Sequence, residues 1–260
     1  MRQAILNTIQ EDQVYAIIPA RSGSKGLVDK NILDLSGFPL MAYSIVAAKL
    51  TNSIDRIIVS TDSSKYAEIA KRYGAEVPVL RPSEISQDQS TDLQFMKHII
   101  DWLYDNEHVV PQYFAHLRVT CPLRRPAQID DAIASIKKHP EATSLLSACI
   151  PKGIDTPYKW LTKDGEFFKS LFFDNNDESN MPRQSYPLAY MRSIYVDILS
   201  TSNIVKNDLL FGNRILAYET DESIDIDELY DFNKAKKLIE SGSNEIYEYL
   251  CETYVCNNSL

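Results

Sequence analysis

Short runs rich in β-branched and aromatic residues alternate along this chain with longer stretches of helical periodicity, and that alternation limits the fold more than any other feature. Strands are expected at residues 14–19, 55–60, 76–80, 113–119, 143–150, 193–196 and 215–218. Residues 40–49 place Met41, Ile45 and Ala48 on one helical face, and residues 91–104 do the same with Phe95, Ile99, Trp102 and Leu103. Residues 127–138 and 229–239 repeat the spacing. Strand, helix, strand repetition implies a mostly parallel sheet with helices on both faces. In such sheets ligands sit beyond the carboxyl ends of the strands.

The 260 residues suffice for a substantial core, and the 44% hydrophobic and 24% charged content is that of an ordinary globular protein. A net charge of −9 argues against general attraction to nucleic acid or an anionic membrane, so any anion recognition must be local. No apolar run approaches the ~20 residues of a bilayer span. The opening MRQAILNTIQEDQ lacks the pattern of a secretory signal. Cys121, Cys149, Cys251 and Cys256 form no CxxC pair, and a reduced cytoplasm is the economical reading.

The alternation breaks between Pro151 and Tyr190, a polar stretch that nevertheless holds Tyr158, Trp160, Phe167, Phe168, Phe172, Phe173, Tyr186 and Tyr190. So many aromatics argue for a small subdomain, about residues 151–191, packed on a second subunit or covering the site; a flap closing on its own core is the alternative. Residues 1–13 read as a frayed extension, 14–240 as the main domain, and 241–260 as a terminal helix and tail.

Directly behind the first strand, AIIPARSGSKGLVDKNI (residues 16–32) gathers Arg21, Lys25 and Lys30 on a turn bearing Gly23 and Gly26. Neither GxxxxGK[ST] nor GxGxxG is present. The cations instead suit a triphosphate and a departing pyrophosphate, and an acidic protein has little other reason to collect them there. Far along the chain, ESIDIDELYDF (residues 222–232) places Asp225 and Asp227 on the same side of an extended segment, an arrangement able to hold one Mg²⁺. Asp227 as a cap for a helix beginning at Glu228 explains the spacing equally well. Arg81 follows a strand in VLRPSEISQDQSTD, close to Ser90, where a plain surface turn is the default. HLRVTCPLRRP puts Arg118, Thr120, Arg124 and Arg125 at a strand end, and MPRQSYP carries Arg183 and Gln184. Zinc-hydrolase and serine-hydrolase motifs are absent.

ARSGSKGLVDKNI, DRIIVSTDS, LRPSEISQD, TCPLR, MPRQ and SIDIDELYDF, in that order over roughly residues 14–240, resemble the acylneuraminate cytidylyltransferases, the CMP-sialic acid synthetase family. The resemblance implies an α/β, Rossmann-like nucleotide-diphospho-sugar transferase fold with a mixed, mostly parallel sheet and a small dimerisation subdomain. It implies a homodimer that transfers a nucleoside monophosphate, with CTP the expected donor, to a 2-keto-3-deoxy sugar acid, with Mg²⁺ as cofactor. Arg21, Ser24, Lys25, Lys30 and Asn31 correspond to nucleotide- and phosphate-binding positions, Arg21 and Lys25 also stabilising the leaving pyrophosphate. Arg81 and Ser90 correspond to the side facing the base. Arg118, Thr120, Arg124, Arg183 and Gln184 correspond to the sugar side. Asp225 and Asp227 correspond to the metal carboxylates, with Asp227 also a candidate proton acceptor.

Departures fall on the sugar side. Leu117-Arg118-Val119 stands where the family has Leu-Gln-Pro, and Met191-Arg192-Ser193 where it has Asn-Gly-Ala; Val28 replaces a loop proline. A guanidinium for an amide is a pure donor, which favours an additional or displaced acidic group on the sugar. A nonulosonic or octulosonic acid other than N-acetylneuraminate, for example a legionaminate- or pseudaminate-like sugar, is therefore expected. A GTP-using enzyme, a sugar-1-phosphate nucleotidyltransferase and a non-catalytic binding module are the alternatives.

Overall fold

The computed structural model describes residues 2–23, 26–151 and 156–254. In chain order the elements are α1 (Arg2–Leu6), β1 (Ile9–Pro19), β2 (Asp34–Leu35), β3 (Phe38–Pro39), α2 (Leu40–Lys49), β4 (Arg56–Ser60), α3 (Ser64–Arg72), α4 (Asp92–Glu107), β5 (Val110–His116), α5 (Pro126–Lys137) and β6 (Ser144–Cys149). There follow β7 (Leu161–Asp164), β8 (Phe167–Ser170), β9 (Met191–Ser200), α6 (Thr201–Asn207), β10 (Ile215–Glu219), α7 (Leu229–Ser241) and α8 (Glu245–Thr253). Six strands form one sheet in the order β10-β6-β9-β5-β1-β4. Strand β9 runs antiparallel to β5 and β6, and the other pairs are parallel, so the sheet is mixed and mostly parallel.

Both faces of the sheet are covered, and β1 shows why its sequence reads as an unbroken apolar run. Val14, Ala16 and Ile18 point into a core shared with α2, α3, α5, α7 and α8. Tyr15 and Ile17 point the other way, into a core built with α1, α4 and α6. Val14, Ile17 and Ile18 each contribute about 1.5–3 kcal/mol on burial. Among the described residues, no helix is long and apolar enough to cross a membrane.

Three local expectations are corrected. Residues 76–80 form no strand: Glu76 exchanges backbone hydrogen bonds with Ile57 and Val59, and then Pro78, which has no N–H, interrupts the ladder. Residues 2–13 are not frayed, because α1 buries Ile5 and β1 already pairs with β5 at Ile9. Helix α3 went unread because it is short and predominantly polar, with a buried face of only Tyr66, Ala67 and Ala70.

Within the aromatic stretch β7 and β8 form a hairpin, and Tyr158 stacks on Tyr186 at 5.4 Å between ring centres and lies against Phe172 and Phe173. Phe167 and Phe168 remain 78% and 67% exposed.

Candidate active site

The chain crosses from β1 to β4 on one side and returns past β1 to β5 on the other. A crevice opens where crossovers diverge in this way, beyond the carboxyl ends of β1 and β5. A cavity of about 290 Å³ occupies that place. Arg21, Lys30 and Asn31 enter it from the loop after β1, Arg81 and Ser90 from the segment before α4, and Arg118 and Thr120 from the end of β5. Stretches separated by nearly a hundred residues thus converge as expected. Ser24 and Lys25 lie outside the described residues.

The loop is braced from below. Asp62, just past β4, accepts from the Ser22 amide at 2.7 Å and the Ser22 hydroxyl at 2.6 Å. Burial alone would raise its carboxyl pKa, but these two donors outweigh burial and hold it low. Asn31 donates its side-chain amide to the Arg21 carbonyl at 2.9 Å, and Arg21 pairs with Asp88 at 3.0 Å. Arg81 is buried, donates to the Ser60 hydroxyl and carbonyl, and lies 4.6 Å over the Phe95 ring. Burial brings its pKa down to about 10, so it stays a cation at neutral pH. Arg81 therefore builds the wall as well as lining it.

The 222–232 segment closes over the same loop. Lys30 donates to the Ile226 carbonyl at 2.8 Å and to the Asp227 carboxylate at 2.9 Å, and the Ile226 amide bonds the Thr120 carbonyl. Buried Ile226 anchors the segment, leaving its neighbours Asp225 and Asp227 both exposed. The capping alternative is resolved by Glu228, the N-cap of α7, which forms a capping box with Asp231; Asp231 accepts from the Asp227 and Glu228 amides, while Asp227 faces Lys30. Desolvation, then the nearby charge of Asp227, raises the Asp225 carboxyl pKa against the opposing bond from Thr120. Two hard, like-charged carboxylates in mutual repulsion suit a divalent cation that completes its shell with water and phosphate oxygens. No third carboxylate, histidine or cysteine joins them among the described residues.

Not every expected residue belongs here. Arg124 is 1% exposed, and its guanidinium donates to the carbonyls of Tyr195, Cys121 and Arg118 and to the Ser44 hydroxyl. It is corrected from a sugar ligand to a brace that ties the β5 end to β9 and α2. Arg183 and Gln184 line a different cavity, of about 360 Å³, in the aromatic region, where Arg183 donates to the Pro151 carbonyl. Asp62, Asp92, Phe95 and Asp197 were missed. Asp92 and Phe95 look like an ordinary first helical turn, and Asp197 is hidden inside an apolar strand pattern.

Gly26 is required by approach: a Cβ there would meet the Asp227 carbonyl at 3.0 Å. Gly26→Ala is expected to push loop and acidic segment apart by a few tenths of an ångström. The expected weakening of triphosphate affinity is about 3–10-fold, with little change in melting temperature, as read by calorimetry and thermal denaturation.

Residues 15–249 match the family described as Cytidylyltransferase. The chain belongs to the cytidylyltransferase family. It is 34% identical over 228 residues to an N-acylneuraminate cytidylyltransferase of Escherichia coli, covering 86% of this chain and 51% of that protein, so it spans about half the length of that relative. It is 31% identical over 240 residues to a CMP-N,N'-diacetyllegionaminic acid synthase of Legionella pneumophila, covering 88% of this chain and 97% of that one. A solved CMP:2-keto-3-deoxy-manno-octonic acid synthetase complexed with CTP shares the fold, with a TM-score of 0.65 at 15% identity, covering 88% of this chain and 99% of that one. For a cytidylyltransferase-family chain, a cation-lined cavity bordered by a carboxylate pair is chemically coherent.

Proposed function

We propose that this chain is a nucleotidyltransferase that joins the CMP portion of CTP to a sialic-acid-like 2-keto-3-deoxy sugar acid and releases pyrophosphate. The observation that carries the reading is Lys30, which ties the cationic loop directly to Asp227 of the acidic pair. Arg21, Lys30 and, in the part of the loop outside the described residues, Ser24 and Lys25 hold the triphosphate. Arg81 and Ser90 border the base, and Arg118 and Thr120 the acceptor. The anomeric hydroxyl attacks the α-phosphorus as the bond to pyrophosphate breaks. The loop cations neutralise charge on the departing group, and Asp227 takes the hydroxyl proton. Such transfer depends on positioning and electrostatics. Asp225 and Asp227 would hold Mg²⁺, which supplies further charge neutralisation at phosphate oxygens when bound.

Exposed Phe167, Phe168 and Trp160 support a homodimer in which the aromatic subdomain carries Arg183 and Gln184 toward a neighbouring site. The buried thiol of Cys121 supports a reducing, cytoplasmic setting. The test is pyrophosphate release with Mg²⁺, crossing CTP, GTP, UTP and ATP with free nonulosonic and octulosonic acids and with sugar 1-phosphates. Release with CTP and one free acid is expected. Release with GTP alone, or with a sugar 1-phosphate alone, would replace the reading, and binding without release would leave a binding module.

A further inference from the structure

Arg118, just past the end of β5, and Arg192 on β9 meet on one buried carboxylate beside the cavity. Asp197, fully buried in β9, accepts from Arg118 at 2.7 Å and from Arg192 at 2.8 Å, both on Oδ2. Among the described residues its Oδ1 has no hydrogen-bond partner, and neither does either ring nitrogen of buried His116, whose Nδ1 is 3.9 Å from Oδ2. Burial and the neighbouring arginines hold His116 well below its ordinary pKa, so it adds no charge. Arg118 also bridges to Asp92 at 2.9 Å and lines the cavity.

The backbone is distorted to make this meeting possible. On a regular strand, residues 192 and 197 would face opposite sides and stand ~16 Å apart along it. Here β9 shifts register against β6 between Arg192 and Asp197, and Ile194, a β-branched residue, takes φ 49°. That conformation is strained for isoleucine, and such strain concentrates at functional positions. The distortion folds Arg192 back onto Asp197. Leu117-Arg118-Val119 and Met191-Arg192-Ser193, the two stretches that depart from the family pattern on the sugar side, therefore join on a single group.

Building on the proposed function, we infer that Asp197 is a positioning residue that locks Arg118, with Arg192 beside it, as the receptor for the carboxylate of the sugar acid. Two of the five Arg118 donors are held by carboxylates, which fixes the guanidinium plane for planar, two-point anion recognition. A phosphate of the nucleotide offers similar chemistry, so the test separates the two.

Binding of N-acetylneuraminate and of 2-keto-3-deoxy-octulosonate, each as free acid and as methyl ester, is measured by calorimetry on the full chain with CTP present. The wild type is expected to prefer at least one free acid over its ester by about tenfold or more, and Asp197→Asn to cut that preference below about threefold while CTP affinity stays within about twofold. The Asp197→Asn, Arg118→Gln double variant should be no weaker than Arg118→Gln alone, because the carboxylate acts through the arginine. Arg192→Gln keeps Asp197 paired with Arg118 and carries the test if Asp197→Asn does not fold; it should lower the acid preference part-way. An unchanged preference in these variants, CTP affinity falling in step, or a wild type that binds no acid better than its ester would each overturn the inference. Acid binding without pyrophosphate release would overturn the transferase reading and leave this one standing.

Discussion

Asp225→Asn is expected to lower turnover on the order of 10²- to 10⁴-fold, corresponding to several kcal/mol of lost charge stabilisation at ~1.36 kcal/mol per tenfold. Nucleotide binding should survive, because Arg21, Lys30 and Arg81 are untouched. Steady-state pyrophosphate release and CTP calorimetry measure the two effects separately. A variant that keeps its turnover would remove Asp225 from the mechanism.

The same substitution is expected to stabilise the ligand-free protein. Desolvation and Asp227 raise the folded-state pKa of Asp225, so the native state holds its proton to higher pH than the unfolded chain does. Stability then falls as pH rises from the ordinary aspartate value of ~3.9 through the raised folded value. Above that window the ionised carboxylate costs stability, and an uncharged amide relieves the cost. Melting temperatures in chelator should therefore be higher for Asp225→Asn at neutral pH, with the advantage vanishing below pH ~3.9. Gain in stability with loss of activity is the signature of a charge kept for function.

Arg124→Met is expected to be the most damaging single change outside the cavity. It would orphan the carbonyls of Tyr195 and Cys121 in the interior, where each unpaired group costs about 1–3 kcal/mol, and leave the Arg118 carbonyl to the Ser44 hydroxyl. A loss of about 3–5 kcal/mol, or roughly 10 °C in melting temperature for a chain of this size, should appear in urea and thermal denaturation. An unchanged midpoint with a raised acceptor KM would return Arg124 to the sugar side.

Arg118 and Arg124 show how far the sequence could be read. Both stand in one short block at a strand end, and the family resemblance assigns both to the sugar side. Arg118 reaches the cavity, whereas Arg124 turns into the interior, and nothing in residue type or spacing separates them. Helix α2 was legible as a run of good helix formers without glycine or proline, although it is buried nearly all round rather than on one face, and β1 because an unbroken apolar run suits a strand covered on both faces. Residues 76–80 were misread because pairing depends on a neighbour's N–H, which Pro78 cannot supply. The Asp225–Asp227 pair shows the same limit, since a helix cap and a carboxylate pair share one spacing until Glu228 is seen to be the cap residue.

By itself the sequence determined the alternating α/β architecture, the cationic glycine loop behind the first strand, and the acidic pair downstream. These are local properties, written in hydrophobic period, turn chemistry and charge. Only the tertiary structure decided which arginine meets the cavity and which braces it, and that Lys30 clasps Asp227 across nearly two hundred residues. It also decided that a strained turn at Ile194 brings Arg192 and Arg118 to one buried carboxylate. Those outcomes depend on register, burial and hydrogen-bond partners, which arise only when distant segments are packed together.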